Sequence, residues 1–107
     1  MRLLDLFRRR GINQRLEEYD RSPQALLLDV RTEQEYKQGH IPGSRNIPLH
    51  SIEQVLALTH SKHVPLFVYC YSGARSRKAV QELQHLGYTD VRNLGGIAAY
   101  QGRVACG

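Results

Sequence analysis

The segment at residues 70–75, with the sequence CYSGAR, holds the side chains best suited to chemistry in this chain. It follows an apolar run at 65–69 and precedes a helical pattern at 76–86. A cysteine at that junction lies where backbone N–H groups and the positive end of a helix dipole converge. Because that environment favours an anion, the sequence predicts that Cys70 is a catalytic thiolate that needs no histidine base.

The residues after Cys70 fit an anion-binding loop. Gly73 allows the positive φ that a tight loop needs, and Arg75 supplies forked donors suited to oxyanions. The predicted substrate-binding residues are Tyr71, Ser72, Gly73, Ala74, Arg75 and Ser76. A lone buried cysteine is more often a small apolar core residue, and an arginine in a first helical turn can be simply solvated. The combination at this spacing favours catalysis over both alternatives.

Length and composition describe one ordinary globular domain. The chain has 107 residues, of which 41% are hydrophobic and 23% are charged. The sequence contains no run approaching the twenty or so apolar residues of a membrane span. Its first ten residues lack the apolar core and cleavage site of a signal peptide. We therefore expect a cytoplasmic protein with no membrane partner.

Cysteine and histidine usage argues against a disulfide scaffold and a metal site. The chain has two cysteines, fewer than a small secreted scaffold would carry. Cys106 is expected to be an exposed tail thiol, with a Cys70–Cys106 disulfide as the less favoured alternative. His50, His60 and His63 lack metal-ligand spacing. The sequence predicts no metal and no cofactor.

The formal net charge is +5, and basic residues cluster at 2–15 and at Arg75, Arg77 and Lys78. The basic residues show neither aromatic interleaving nor a helix-turn-helix pattern, so nucleic acid is not expected as a partner. A positive field around an anion-binding loop accounts for the second cluster. The arginines at 8–10 also fit a plain solvated face.

Helical segments are predicted from capping signals. Asn13 is expected to cap a helix at 14–19, and Thr32 with Glu35 forms a capping box at the start of another. A second capping box is expected at Ser51 with Gln54. The apolar stripe of the helix at 76–86 ends at Gly87, a residue typical of a helix C-terminus.

Strands are predicted between these helices, at 25–30, at 66–69 and within 88–94, with a short strand-like piece at 45–48 and a sharp turn at 95–96. Strands that alternate with helices over short connections favour an open, mainly parallel α/β sheet with helices on both faces. Ligands of such sheets bind outside the carboxyl ends of the strands, and Cys70 lies at one of them.

The motifs in this chain also resemble a known family. They are LDVR at 28–31, EY at 35–36, GHIPG at 39–43, NIP at 46–48, CYSGARS at 70–76, LGY at 86–88, Val91, and LGG at 94–96. In this order and spacing the chain is similar to a stand-alone, single-domain rhodanese-like sulfurtransferase over about residues 13–104.

The resemblance implies a sheet of about five strands in a domain at 13–107. The apolar residues within 3–7 predict a short helix in the basic segment at 1–12 that precedes it. It implies that Cys70 accepts a sulfane sulfur from a donor such as thiosulfate, holds it as a persulfide, and passes it to cyanide or a thiol. Arg75 would attract the anionic donor, helped by Arg77 or Lys78.

Two other functions stay open beside thiosulfate sulfurtransferase activity. The domain could be a sulfur-relay module that exchanges persulfide sulfur with a protein donor or acceptor. A phosphatase or arsenate reductase is disfavoured, because related phosphatases have a longer loop between cysteine and arginine than the four residues here.

Three further features have expected roles. The resemblance implies that Asp29 and Arg31 form an ion pair that holds loops in place. His40 is expected to form a hydrogen bond to the backbone of its own turn. Tyr100 stands where the family often has tryptophan, which would alter packing near the loop more than the chemistry.

Overall fold

A parallel sheet organises the computed structural model, which describes residues 11–107. Its four strands are β1 (Leu26–Asp29), β2 (Arg45–Asn46), β3 (Leu66–Cys70) and β4 (Val91–Gly96). They pair in the order β2-β1-β3-β4, and every pairing is parallel. The predicted open α/β sheet is confirmed, with four strands in the described part rather than about five.

Helices precede and connect the strands. They are α1 (Ile12–Asp20), α2 (Glu33–Gln38), α3 (Val55–Leu58) and α4 (Ala74–His85), with 3-10 segments at Leu49–Gln54 and Ile97–Ala99. The short helix predicted in the basic segment lies outside the described residues, and the domain boundary at residue 13 stays a prediction. Within residues 11–107, no helix is long and apolar enough to cross a membrane.

The central strand β3 is buried on both faces and divides the core in two. Alternate side chains of a strand point to opposite faces of the sheet. Val68 and Cys70 therefore join one cluster with Ala79 and Leu83 of α4. Phe67 and Tyr69 join the other cluster. The alternation directs the Cys70 side chain toward α4.

Local capping chemistry was predicted correctly at α2. Thr32 Oγ1 accepts a hydrogen bond from Glu35 N–H at 3.2 Å, and Glu35 Oε1 accepts one from Thr32 N–H at 3.2 Å. The left-handed φ of Gly87, +104°, likewise fits the predicted end of α4.

The second capping box was wrong. Ser51 N–H donates to the Pro48 carbonyl at 2.8 Å, so a 3-10 turn begins before the predicted cap. Ser51 itself has non-helical angles (φ −126°, ψ 31°), and α3 starts only at Val55, without a side-chain cap.

Asn13 also differs from its predicted role, since α1 begins at Ile12 after Gly11. Its side-chain amide instead donates to Ala99 O at 2.9 Å and accepts from Gln101 N–H at 2.8 Å. A tertiary contact with the C-terminal segment has replaced the local cap.

The buried ion pair between Asp29 and Arg31 secures the carboxyl end of β1, as the family resemblance implied. Arg31 Nη2 lies 2.7 Å from Asp29 Oδ2, and its Nε lies 3.0 Å from Oδ1. The same Nη2 donates to Gly39 O at 2.7 Å, which ties the turn after α2 to the strand.

We expect the substitution Asp29→Ala to lower the free energy of unfolding by about 3–5 kcal/mol, because it leaves the buried Arg31 guanidinium without its counterion. Urea unfolding followed by circular dichroism measures the change. Lys37→Ala is the control, since its pair with Glu33 is solvent-exposed and should contribute less than about 0.5 kcal/mol. Equal effects of the two substitutions would contradict the role assigned to Asp29.

Candidate active site

Cys70 is the last residue of β3, and its side chain is 1% exposed. The chain turns through residues 71–73 and enters α4 at Ala74. Gly73 is the residue before the helix, with the left-handed φ of +102° that the loop sequence predicted. Strand, loop and helix thus place the sulfur at the N-terminal end of a helix of 12 residues.

The sulfur accepts a hydrogen bond from Gly73 N–H, with an N–Sγ distance of 2.9 Å. The Ser76 hydroxyl lies 3.4 Å from Sγ. Burial opposes ionisation of the thiol, but hydrogen bonds from the Ser76 hydroxyl and from backbone N–H groups of Ser76, Gly73 and Ser72 outweigh it. The pKa of Cys70 therefore lies below its ordinary value.

The end of β4 packs directly against the backbone of this loop. A Cβ atom on Gly96 would overlap the Tyr71 carbonyl oxygen and lie 2.6 Å from Ser72 Cα. Ala98 N–H donates to the same carbonyl at 3.1 Å. The predicted turn at 95–96 was wrong, because both glycines belong to β4. At Gly96 the missing side chain lets the strand approach the loop.

Arg75 forms a two-pronged ion pair with Glu35 of α2. The Nη1–Oε1 distance is 2.6 Å and the Nη2–Oε2 distance is 2.9 Å. Hydrogen bonding to Arg75 is the main reason that the pKa of Glu35 falls to about 2, with further help from Thr32. Glu35 therefore caps α2 and also fastens that helix to the first turn of α4.

The remaining predicted loop residues differ in accessibility. Tyr71 is 56% exposed, Ser72 and Ala74 are also exposed, and Ser76 is completely buried. Lys78 and Arg75 line an open groove of about 400 Å³ together with Thr32 and His50. Several loop residues thus face solvent, while the sulfur and the Ser76 hydroxyl lie beneath them.

Sequence reasoning missed two residues of this site. Glu35 was identified only as a cap, because nothing local indicates a partner 40 positions away. Asn93, in β4, was not identified at all, although its Oδ1 lies 2.7 Å from Ser76 Oγ. An asparagine inside a predicted strand was the available signal, since asparagine is depleted in strands and, when partly buried there, usually has a hydrogen-bonding partner.

Other candidates are structural or remote. His40 Nδ1 lies 2.8 Å from Tyr36 O, and the two rings stack at 3.7 Å, which agrees with the predicted backbone role. Both cysteines are free, so the Cys70–Cys106 disulfide is excluded in this structure, and Cys106 is exposed as expected. Tyr100 packs on the cluster of Phe67 and Tyr69 rather than on the face that holds Cys70.

Comparison with known proteins gives one consistent result. A rhodanese-like domain model matches residues 13–103. The thiosulfate sulfurtransferase PspE of Escherichia coli is 38% identical over 71 residues, covering 65% of this chain and 68% of that protein. The thiosulfate sulfurtransferase GlpE of Stutzerimonas stutzeri is 36% identical over 76 residues, with 71% and 69% covered.

A solved structure gives the same match at the level of the fold. A rhodanese from E. coli with bound anions superposes with a TM-score of 0.72 at 33% identity. The match covers 78% of this chain and 99% of that one.

The Glu35–Arg75 pair should make stability depend on pH in the acid range. The pKa of Glu35 is about 2 in the folded chain and 4.5 as the ordinary value, so the contribution is complete above pH 4.5 and is lost as pH falls toward 2. We expect Glu35→Gln to lower the free energy of unfolding by about 1 kcal/mol at pH 7, because the pair is partly solvated.

The difference between wild type and Glu35→Gln should then shrink between pH 4.5 and pH 2. Urea unfolding at several pH values measures it. Glu33→Gln, on the exposed side of the same helix, is the matched control and should show little effect. A Glu35→Gln difference that stays constant down to pH 2 would contradict the assignment.

Proposed function

This chain belongs to the rhodanese-like family, and on that premise we propose that it transfers a sulfane sulfur from an anionic donor such as thiosulfate to a nucleophilic acceptor, cyanide or a thiol. The observation that carries the proposal is the hydrogen bond of 2.9 Å from Gly73 N–H to Cys70 Sγ at the helix N-terminus. That contact favours the thiolate, which is the reactive form of cysteine.

In the first half-reaction the Cys70 thiolate attacks the outer sulfur of thiosulfate. A bond forms between Cys70 Sγ and that sulfur, while the bond to the inner sulfur breaks and its electron pair leaves with sulfite. The product is a Cys70 persulfide anion. The N–H groups that stabilise the thiolate then face the charge of the persulfide.

In the second half-reaction the acceptor removes the terminal sulfur. Cyanide attacks that sulfur, the sulfur–sulfur bond breaks toward Cys70 Sγ, and thiocyanate leaves with the thiolate restored. Because the enzyme carries the sulfur covalently between the two steps, we expect ping-pong kinetics. No proton or external oxidant is required in either step with these substrates.

Within the loop at 71–76, the exposed residues are the ones that we propose to contact the substrate. Tyr71, Ser72 and Ala74 lie on its exposed side, where a donor would first make contact. Both terminal nitrogens of Arg75 already bind Glu35, so its main contribution is to hold the loop. Lys78, in the adjoining groove, is the cation better placed to attract the donor, and Arg77 is exposed beside it.

Burial of Cys70 supports a small donor over a protein donor. With the side chain 1% exposed, a slender anion reaches the sulfur with less rearrangement than a persulfide carried on another protein. The sulfur-relay function uses the same loop, and it is an outcome of the test below rather than a second proposal.

The proposal predicts that incubation with thiosulfate, followed by removal of excess reagent, adds one sulfur atom to the protein and that cyanide removes it. Intact mass spectrometry measures both steps, and a thiocyanate assay measures turnover. Cys70→Ala should abolish the mass gain and the turnover. Cys106→Ala is the matched control, because it removes the other free thiol and should keep both.

The remaining outcomes separate the alternatives. Thiosulfate:cyanide activity that survives Cys70→Ala would rule out the assigned nucleophile. A wild-type persulfide that forms from a protein donor, with negligible turnover on thiosulfate, would replace the proposed donor class by a sulfur relay.

A further inference from the structure

The side chain of Asn93 lies on the same face of the sheet as Cys70. The parallel register pairs it with Val68, so its side chain lies on the face that holds Cys70 and α4. Asn93 Oδ1 accepts from Ser76 Oγ at 2.7 Å and from Gly95 N–H at 2.8 Å, while Nδ2 donates to Gly73 O at 3.4 Å. Since Gly95 N–H can only donate, the amide orientation is determined.

The Ser76 hydroxyl has one proton and three neighbouring acceptors. They are Asn93 Oδ1 at 2.7 Å, Gly73 O at 3.0 Å and Cys70 Sγ at 3.4 Å. While Cys70 is a thiol, its S–H donates to Ser76 Oγ, and the Ser76 proton points to one of the two oxygens. Once the sulfur is ionised it has no proton to give, and the Ser76 hydroxyl must turn its own proton toward the anion.

When the Ser76 hydroxyl rotates toward the sulfur, both oxygens that it could have bonded keep other hydrogen-bond donors. Asn93 Oδ1 keeps the hydrogen bond from Gly95 N–H. Gly73 O keeps those from Asn93 Nδ2 and from Arg77 N–H, the latter at 3.1 Å. A buried polar atom without a partner is costly. These retained hydrogen bonds therefore lower the cost to Asn93 Oδ1 and Gly73 O of losing the hydrogen bond from the Ser76 hydroxyl. Ser76 is completely buried, so the exchange does not depend on bulk water.

We propose that Asn93 is a positioning residue. Its Oδ1 holds the Ser76 hydroxyl beneath Cys70 and gives up that hydrogen bond when the thiolate forms, so that the hydroxyl can donate to the sulfur instead. The inference rests on the proposed function in taking Cys70 as the nucleophile. A neutral amide suits this role, because it offers one acceptor to Ser76 and one donor to the loop. A carboxylate at this position would offer acceptors alone and would hold the proton.

The charged groups on the elements around the sulfur stay constant in the test. They include Arg75, Arg77 and Lys78 of α4, Arg92 of β4, Glu35 of α2, and the Asp29–Arg31 pair at the end of β1. The variants compared below keep all of them. A difference between backgrounds therefore reports the Ser76–Asn93 interaction.

The experiment is a double-mutant cycle read by the ultraviolet absorbance of the thiolate as a function of pH, with Cys106→Ala as the common background and Cys70→Ala as the blank. Ser76→Ala should raise the ionisation midpoint of Cys70 by roughly one pH unit, the value of one hydrogen bond to a charged group. In an Asn93→Asp background the same substitution should shift the midpoint by less than about a third of that.

The comparison cancels the direct repulsion between a carboxylate and the thiolate, because that repulsion is present with and without Ser76. Asn13→Ala is the matched control, since Asn13 also bonds backbone groups but lies on α1, and the full Ser76→Ala shift should persist there. Should Asn93→Asp not fold, Asn93→Ala carries the comparison, because it removes both side-chain contacts that position the Ser76 hydroxyl and Gly73 O, and the Ser76→Ala shift should then differ from that in wild type.

An equal Ser76→Ala shift in the wild-type and Asn93 backgrounds would overturn the inference, even if the Asn93 variants melt at lower temperature. That result would leave Asn93 as a staple between β4 and the loop. The measurement uses no sulfur donor, so its outcome does not depend on sulfur transfer. Failure of this inference can therefore be distinguished from failure of the proposed function.

Discussion

The geometry of this site depends on a single contact, the hydrogen bond from Gly73 N–H to Cys70 Sγ. It requires a strand that ends at Cys70, a left-handed glycine three residues later, and a helix that starts at once. Each requirement has its own support. Burial on both faces holds β3, and Glu35 holds the start of α4 through Arg75.

Side chains of α2 and β4 support that contact indirectly, through residues of α4. Glu35 acts through Arg75, and Asn93 acts through Ser76. Gly96 acts by the absence of a side chain, which allows the Tyr71 carbonyl to lie against β4. The loop is therefore held by β4, through Gly96 and Asn93, and by α2, through Glu35, so its backbone N–H groups keep their direction.

The parts of this structure that short-range rules govern were predictable from the sequence. The capping box at Thr32 and Glu35, the left-handed glycines at 73 and 87, and the alternation of strands and helices all follow from residues within a few positions of each other. The rest depends on tertiary contacts. Asn13 bonds the C-terminal segment instead of its own helix, and Glu35 meets an arginine 40 positions away. Neither spacing leaves a signal in the sequence.

The pairing of Arg75 with Glu35 has a consequence for the electrostatic potential at the mouth of the loop. A guanidinium whose charge is matched by an adjacent carboxylate contributes little to the long-range potential at the loop mouth. Under the proposed function, attraction of a dianionic donor from a distance would fall to exposed cations such as Arg77 and Lys78, whose charges salt screens within about 10 Å at ordinary ionic strength. Capture of the proposed donor would therefore depend on ionic strength, whereas the buried hydrogen bond from Gly73 N–H to Cys70 Sγ is largely insulated from it.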